Sequence, residues 1–305
     1  MSEVLVGFAG FPFTRFTEIE EIGKIAGELR SRGLSSIELS FSRCKLFVKP
    51  GGQGLIYPSV MQAKDAKALL GGVMVGLHAP YTLVVSSPSP KRRKLAKAHF
   101  TINFKLGDAL LANHLTFHCG PAVKNAEEHV KEFLKEIMKV REEHGYTVMP
   151  APEVAGKKGN FAGFEVIVRV AGEVGCLICW DIAHDYALGG LLTTREGILK
   201  RLELLDDNVK VKGCRIPVHL SGVIATRRGE RRHVSLEEGG VPWMFFLSVL
   251  REQNYLGKVV LFCESRSGRG IEGRLDEAAR ILNFLKSGES VAAYRDKTRI
   301  DGFFA

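Results

Sequence analysis

The 305 residues contain no apolar run that approaches the ~20 a membrane-spanning helix needs. The opening MSEVLVGFAG lacks the basic-then-apolar layout of a signal peptide. Together these absences lead us to expect a soluble, cytoplasmic protein. No Gly-x-Gly-x-x-Gly follows the first apolar run, which lowers the case for a doubly wound dinucleotide-binding sheet. No low-complexity linker or charge block marks a domain boundary, so a single domain over residues 1–305 is expected. The six cysteines (Cys44, Cys119, Cys176, Cys179, Cys214, Cys263) are scattered. Cys176 and Cys179 form a C-x-x-C, but no second pair accompanies it. The surrounding GCLICW reads as a buried strand rather than half of a zinc ribbon. Glutamine is scarce, a bias also found in thermophilic proteins.

What is present is a long series of short apolar runs. They cover 4–12, 35–41, 73–81, 114–120, 147–156, 176–184, 214–222 and 258–266, eight in all. Amphipathic stretches lie between them, among them 18–33, 90–112, 125–145 and 274–288. Near-continuous apolar strands alternating with helices indicate parallel strands covered on both faces. Eight such units in a chain of this length predict an α/β fold, a (β/α)8 TIM barrel. Apolar residues make up 45% of the chain, enough for its core. The formal charge of +9 and pI near 9.3 point to an anionic partner, nucleic acid or a phosphorylated substrate.

The run CLICWDIAHDYALGG carries an apolar segment straight into Asp181, with His184 three residues on. A carboxylate there is costly unless it is paired or bound to a metal. The same happens on six consecutive strands. They end on His78, His118, Glu153, Asp181, His219 and Glu264, and His233 follows strand seven in GERRHVSL. The C-terminal strand ends of such a barrel face one rim, where active sites lie. One histidine on a strand is more often a satisfied core residue than a ligand. Eight ionisable groups at one rim, three of them carboxylates, are better satisfied by metal. Imidazole with carboxylate and no thiolate suits Zn2+, Mn2+ or Fe2+. Eight donors exceed one ion's needs, so two or three ions are expected, with Glu153 and Asp181 as bridges. Paired ions in a basic protein favour phosphodiester hydrolysis. His99, His114, His129 and His144 receive no role.

In order and spacing, HAPY, FHCG, PEVAG, DIAHDYALG, VHLSG, RHVSL and CES, spanning residues 78 to 264, resemble the endonuclease IV family of apurinic/apyrimidinic endonucleases. That family lies within the xylose isomerase-like TIM barrels. The resemblance implies a zinc-dependent deoxyribonuclease, an AP endonuclease of base excision repair, which cuts double-stranded DNA 5′ to an abasic lesion. It implies that His78, His118 and Glu153 hold a first zinc, and that Glu153 is the catalytic residue. Glu153, Asp181, His219 and Glu264 would hold a second zinc, and His184 and His233 a third. Tyr81 would enter the duplex, and Arg231 and Arg232 would contact DNA. A loop near Arg43 and Lys45 would correspond to another penetrating loop. The chain departs from the pattern at Cys119 (usually Pro), Val154 (often Asn) and Arg231. At that last position the family carries an aspartate that completes the third zinc site; the nearest carboxylate here is Glu230.

Two further readings compete. A sugar isomerase or epimerase of the xylose isomerase-like group would need one ion on Glu153, Asp181, His219 and Glu264, leaving the other four histidines unexplained. A non-enzymatic reading is a basic DNA-binding module whose third metal site has decayed. Of the basic clusters KRRK (91–94) and RRGERR (227–232), the second lies in a rim loop beside a ligand, which favours phosphate contact. A monomer with no membrane association is expected.

Overall fold

The computed structural model describes residues 3–44, 46–49, 52–55, 57–266 and 268–291. In chain order the elements are β1 (Leu5–Pro12), α1 (Ile19–Ser31), β2 (Ser36–Ser40), β3 (Leu46–Lys49), β4 (Gly52–Leu55), α2 (Val60–Leu70) and β5 (Met74–His78). There follow α3 (Pro90–Ala109), β6 (His114–Phe117), α4 (Ala126–His144), β7 (Met149–Pro152), α5 (Phe164–Val174), β8 (Trp180–Asp181), α6 (Ile182–Ala187) and α7 (Arg195–Asn208). The series ends with β9 (Ile216–Leu220), β10 (Gly222–Thr226), β11 (Gly229–Val234), α8 (Trp243–Glu252), β12 (Val259–Cys263) and α9 (Gly270–Ser287).

Eight strands run parallel in the lateral order β7–β6–β5–β2–β1–β12–β9–β8. Each falls within one of the eight apolar runs, so the (β/α)8 reading holds. The ring closes between β7 and the segment entering β8. Leu177 N donates to Pro150 O at 3.1 Å, Cys179 N to Pro152 O at 3.0 Å and Val154 N to Cys179 O at 3.1 Å. Two antiparallel hairpins are added at the rim, β3–β4 after β2 and β10–β11 after β9.

Side chains alternate across the barrel wall, as the two-residue period of a strand requires. Val6, Phe8, Ile37, Leu39, Val218 and Leu220 face the helices and join one large apolar cluster. Leu5, Ala9, Val260 and Phe262 form a second, small cluster inside the barrel. Above that small apolar layer the interior is polar, with Glu38, His114, Thr116 and His219 buried. The helices cover the outside through apolar stripes. On α4, Val130, Phe133, Leu134 and Ile137 turn inward, Glu127 and Glu128 open the first turn, and Gly145 ends the helix at φ 66°. Acids at the start and a left-handed glycine at the end suit the helix dipole and the C-terminal cap. Among the described residues no helix is long and apolar enough to cross a membrane.

Candidate metal centre at the strand ends

All eight side chains singled out in the sequence meet at one rim. His78 ends β5, His118 follows β6, Glu153 follows β7, Asp181 ends β8, His219 lies on β9 and Glu264 follows β12. Two features go beyond the linear reading. His184, just past the end of the strand, lies on α6, which starts at Ile182, and Asp181 Oδ1 caps that helix by accepting His184 N–H at 2.8 Å. Asp181 thus has a structural task with one oxygen while Oδ2 stays buried without a hydrogen-bond partner. His233 lies on β11 of a hairpin rather than in a loop.

The donors form three overlapping groups, with ligand atoms inside each lying within 4.8 Å of one another. The groups are His78, His118 and Glu153; Glu153, Asp181, His219 and Glu264; and Asp181, His184 and His233. Glu153 and Asp181 each belong to two groups. In the first group Glu153 Oε2 lies 3.3 Å from both His78 Nε2 and His118 Nε2. His78 Nδ1 donates to Ala79 O at 2.9 Å, which fixes the ring so that Nε2 faces Glu153. Two imidazole nitrogens thus point at one carboxylate oxygen, an arrangement that a cation would satisfy. In the second group His219 Nδ1 is 3.0 Å from Glu264 Oε2 and 3.7 Å from Glu153 Oε1.

The third group shows the same logic. His184 Nδ1 donates to Val154 O at 2.9 Å, which turns Nε2 toward His233 Nε2 at 3.2 Å. Ser221 Oγ holds His233 Nδ1 at 2.5 Å. Gly156 makes room for the ring, because a Cβ there would meet His184 Cδ2 at 2.4 Å. Glu230 reaches into the group, with Oε2 3.4 Å from His184 Nε2 and Oε1 3.7 Å from His233 Nε2. Strict alternation would put Arg231 beside His233. The hairpin register instead runs Val223 with His233, Ile224 with Arg232 and Ala225 with Glu230. Arg231 is the extra residue of a β-bulge, which returns Glu230 to the face of His233. Arg231 and Arg232 are exposed.

The electrostatics fit an acceptor-rich, buried centre. Burial would raise the Glu153 carboxyl, but His118, His184, His219 and His78 outweigh it and hold it well below the carboxylate range. Burial dominates at Asp181, whose carboxyl is raised, and at His118, lowered to about 4 and therefore neutral. Contact with His184 holds Glu230 at about 2. Glu153 Oε1, Asp181 Oδ2 and both ring nitrogens of His219 are buried without hydrogen-bond partners. Native proteins leave few buried polar groups unpaired. Burial would lower the His78, His184 and His219 imidazoles, but neighbouring acidic groups outweigh it and raise them. The imidazole–carboxylate donor set matches the preferences of Zn2+ and its neighbours.

Tyr81 lies over the centre. Its ring stacks on His118 at 4.8 Å and its hydroxyl is 3.4 Å from Glu264 Oε1, yet 47% of the residue is exposed. Arg43 is exposed in the turn after β2, and Lys45 lies outside the described residues. Of the basic clusters, Lys91–Lys94 opens α3 behind β5, while Arg227 and Arg228 cap the β10–β11 hairpin behind β9. In the ring, β5 and β9 are four strands apart, so the two clusters flank the mouth from opposite sides. The sequence reading missed Glu38 and passed over His114. Both are fully buried beneath the centre, with His219 Nε2 3.1 Å from Glu38 Oε2. The one signal for them was a carboxylate in the middle of the apolar run SSIELSF.

The xylose isomerase-like TIM barrel family model matches residues 27–287, and the chain belongs to that family. An uncharacterized protein of Methanocaldococcus jannaschii is 24% identical over 273 residues, covering 86% of this chain and 92% of that protein. A probable endonuclease 4 of Aquifex aeolicus is 24% identical over 189 residues, covering 59% of this chain and 67% of that protein. The crystal structure of endonuclease IV from Thermus thermophilus superposes with a TM-score of 0.67 at 19% identity, covering 90% of this chain and 99% of that one. A D-tagatose 3-epimerase-like protein superposes equally well, TM-score 0.67 at 17% identity over 92% and 98% of the two chains. At these identities the structural likeness establishes the barrel and leaves the reaction to the site.

Proposed function

We propose that this member of the xylose isomerase-like TIM barrel family is a metal-dependent AP endonuclease, hydrolysing the phosphodiester 5′ to an abasic site in double-stranded DNA. One observation carries the reading: His78, His118, His184, His233 and Glu230 join the four donors that a one-ion sugar epimerase would use. A single ion on Glu153, Asp181, His219 and Glu264 would leave those imidazoles converging on nothing. The sequence likeness to a probable endonuclease 4 supports the same reaction.

In this reading His78, His118 and Glu153 hold one ion. Glu153, Asp181, His219 and Glu264 hold a second, and Asp181, His184, His233 and Glu230 a third. Zinc suits the donors best. Ions held by these residues would supply the Lewis-acid chemistry of phosphodiester hydrolysis. The protein's own groups do the rest. Glu153, shared by two groups, fixes their separation and is the residue on which catalysis depends. Ala79 O and Val154 O keep His78 and His184 in the Nε2-binding tautomer. Tyr81, aromatic and half exposed over the centre, is placed to stack where a base is missing. Arg231, Arg232 and the hairpin tip offer charges to phosphates, and Lys91–Lys94 offer them across the mouth. A line of cations across a diameter suits an extended polyanion better than a free sugar.

The test is a duplex carrying one tetrahydrofuran abasic analogue, incubated with the protein with and without chelator. The expected product is a cut 5′ to the lesion with a 3′-hydroxyl, abolished by the chelator. A β-elimination product on a natural abasic site would sink the mechanism. Epimerisation of ketoses with no action on DNA would move the protein to the one-ion reading.

A further inference from the structure

Glu38 is buried at the middle of β2 with 0% exposure, and the proposed metal ligands do not include it. Its surroundings are built for a carboxylate. Asn113 Oδ1 accepts Arg215 N–H at 3.0 Å, which fixes the amide orientation. Asn113 Nδ2 therefore donates, to Arg215 O at 2.8 Å and to His114 Nδ1 at 2.9 Å. With Nδ1 accepting, neutral His114 carries its proton on Nε2, and Nε2 donates to Glu38 Oε1 at 3.0 Å. The Thr116 hydroxyl donates to the same oxygen at 2.8 Å. Gly76 leaves the space for this pair, since a Cβ there would meet His114 Nε2 at 2.4 Å.

Two donors occupy Oε1, and Oε2 faces His219 Nε2 at 3.1 Å. Neither of these two facing atoms has a hydrogen-bond partner, and they meet as an ion-pair contact. The opposite ring nitrogen, Nδ1, faces Glu264 and Glu153. His219 thus stands between a carboxylate below and the proposed ion-binding group above. Were its proton on Nδ1, it would donate to Glu264 and block the ring as a ligand. A carboxylate at Nε2 draws the proton to that side and leaves Nδ1 as a lone pair. Ligating histidines are commonly held through their other nitrogen in this way.

We infer that Glu38, fixed by His114 and Thr116, is a positioning residue that sets the tautomer and orientation of His219, so that Nδ1 faces the ion shared with Glu153, Asp181 and Glu264. The inference rests on the metal-centre reading of that group. It does not depend on which substrate is turned over.

Glu38→Gln is the decisive variant. Its amide has one acceptor and two donors, whereas His114, Thr116 and His219 present donors from both sides. One side is therefore mismatched at unchanged volume. Protein stripped of metal and reloaded with Zn2+ against a competing chelator is expected to bind the ion of this group roughly 10–100-fold more weakly in Glu38→Gln than in wild type. Co2+-loaded protein should show an altered ligand-field spectrum. Thr116→Val keeps the carboxylate and removes one anchoring bond, so it should weaken binding by only a few-fold. Melting of the metal-free proteins separates packing from positioning, because the effect on metal should appear even where metal-free stability equals that of wild type. Equal Zn2+ affinity and an unchanged Co2+ spectrum in Glu38→Gln would overturn the inference. A wild type that binds no ion would instead overturn the metal-centre reading beneath it.

Discussion

Replacing Glu230 by Ala removes one donor from a group otherwise made of Asp181, His184 and His233. Both oxygens are engaged, at 3.4 Å from His184 Nε2 and 3.7 Å from His233 Nε2, and the residue is mostly buried. Losing a residue that merely orients a ligand already costs about 10–100-fold in metal affinity. A direct ligand costs at least that. At saturating metal such a loss removes ~1.4–2.7 kcal/mol of metal-linked stability. At about 2–4 °C per kcal/mol for a large domain, melting should fall by roughly 3–10 °C in Zn2+. With chelator the gap should shrink, since only the contact of Glu230 with His184 is then lost. Metal analysis after dialysis should show about one ion fewer in the variant. The bulge supplies a control. Deleting Arg231 puts Glu230 two residues before His233, the spacing that an unbulged strand needs to keep both on one face. The deletion should retain the full metal count. Equal counts in wild type and Glu230→Ala, with equal stabilisation by Zn2+, would refute the role given to Glu230.

Glu153→Gln keeps the shape of a side chain lying 3.3 Å from three imidazoles, so duplex binding should survive while turnover drops by several orders of magnitude. A single missing catalytic interaction is worth ~10²–10³, and near-normal turnover would remove Glu153 from its shared position. Changing Arg227, Arg228, Arg231 and Arg232 to Ala should flatten the salt dependence of duplex binding by roughly one unit of slope for each phosphate that is no longer neutralised, and an unchanged slope would make the hairpin ordinary surface. Away from the centre, burial lowers His99 to about 4, and its Nδ1 lies 2.6 Å from the Tyr57 hydroxyl. A depressed folded pKa contributes stability that is present above the unfolded value, near 6.5, and lost as pH falls toward 4. Urea unfolding of metal-free protein should therefore show a shallower acid loss between those limits in His99→Gln than in wild type.

The barrel was legible because its parallel strands are buried on both faces and read as unbroken apolar runs. The centre was legible for a related reason: a charged group that ends such a run has few alternatives to a partner or an ion. Glu38 escaped because the sense of a carboxylate in SSIELSF depends on which face of β2 turns into the barrel, and a strand with a polar interior looks like a half-exposed one. Arg231 stands where the resemblance expects a carboxylate, and Glu230 is the nearest one. What the sequence hides is the bulge, visible only in the pairing with Ile224 and Ala225, that brings Glu230 to the face of His233. The strand ends at Asp181, as the sequence suggests; the Asp181 cap that starts a helix immediately after it is not marked by any break in composition.

The barrel wall is a hoop, and its ends meet between β7 and β8 through a short run of backbone bonds beside Glu153 and Cys179. Glu153 belongs to one end of the hoop and Asp181 to the other, and both face the same ion group. An ion held there would act as a clasp, tying the two free margins together where the ladder is shortest. Metal would then brace the wall mechanically as well as serve the chemistry, and stripping it would loosen this seam before any other part of the ring.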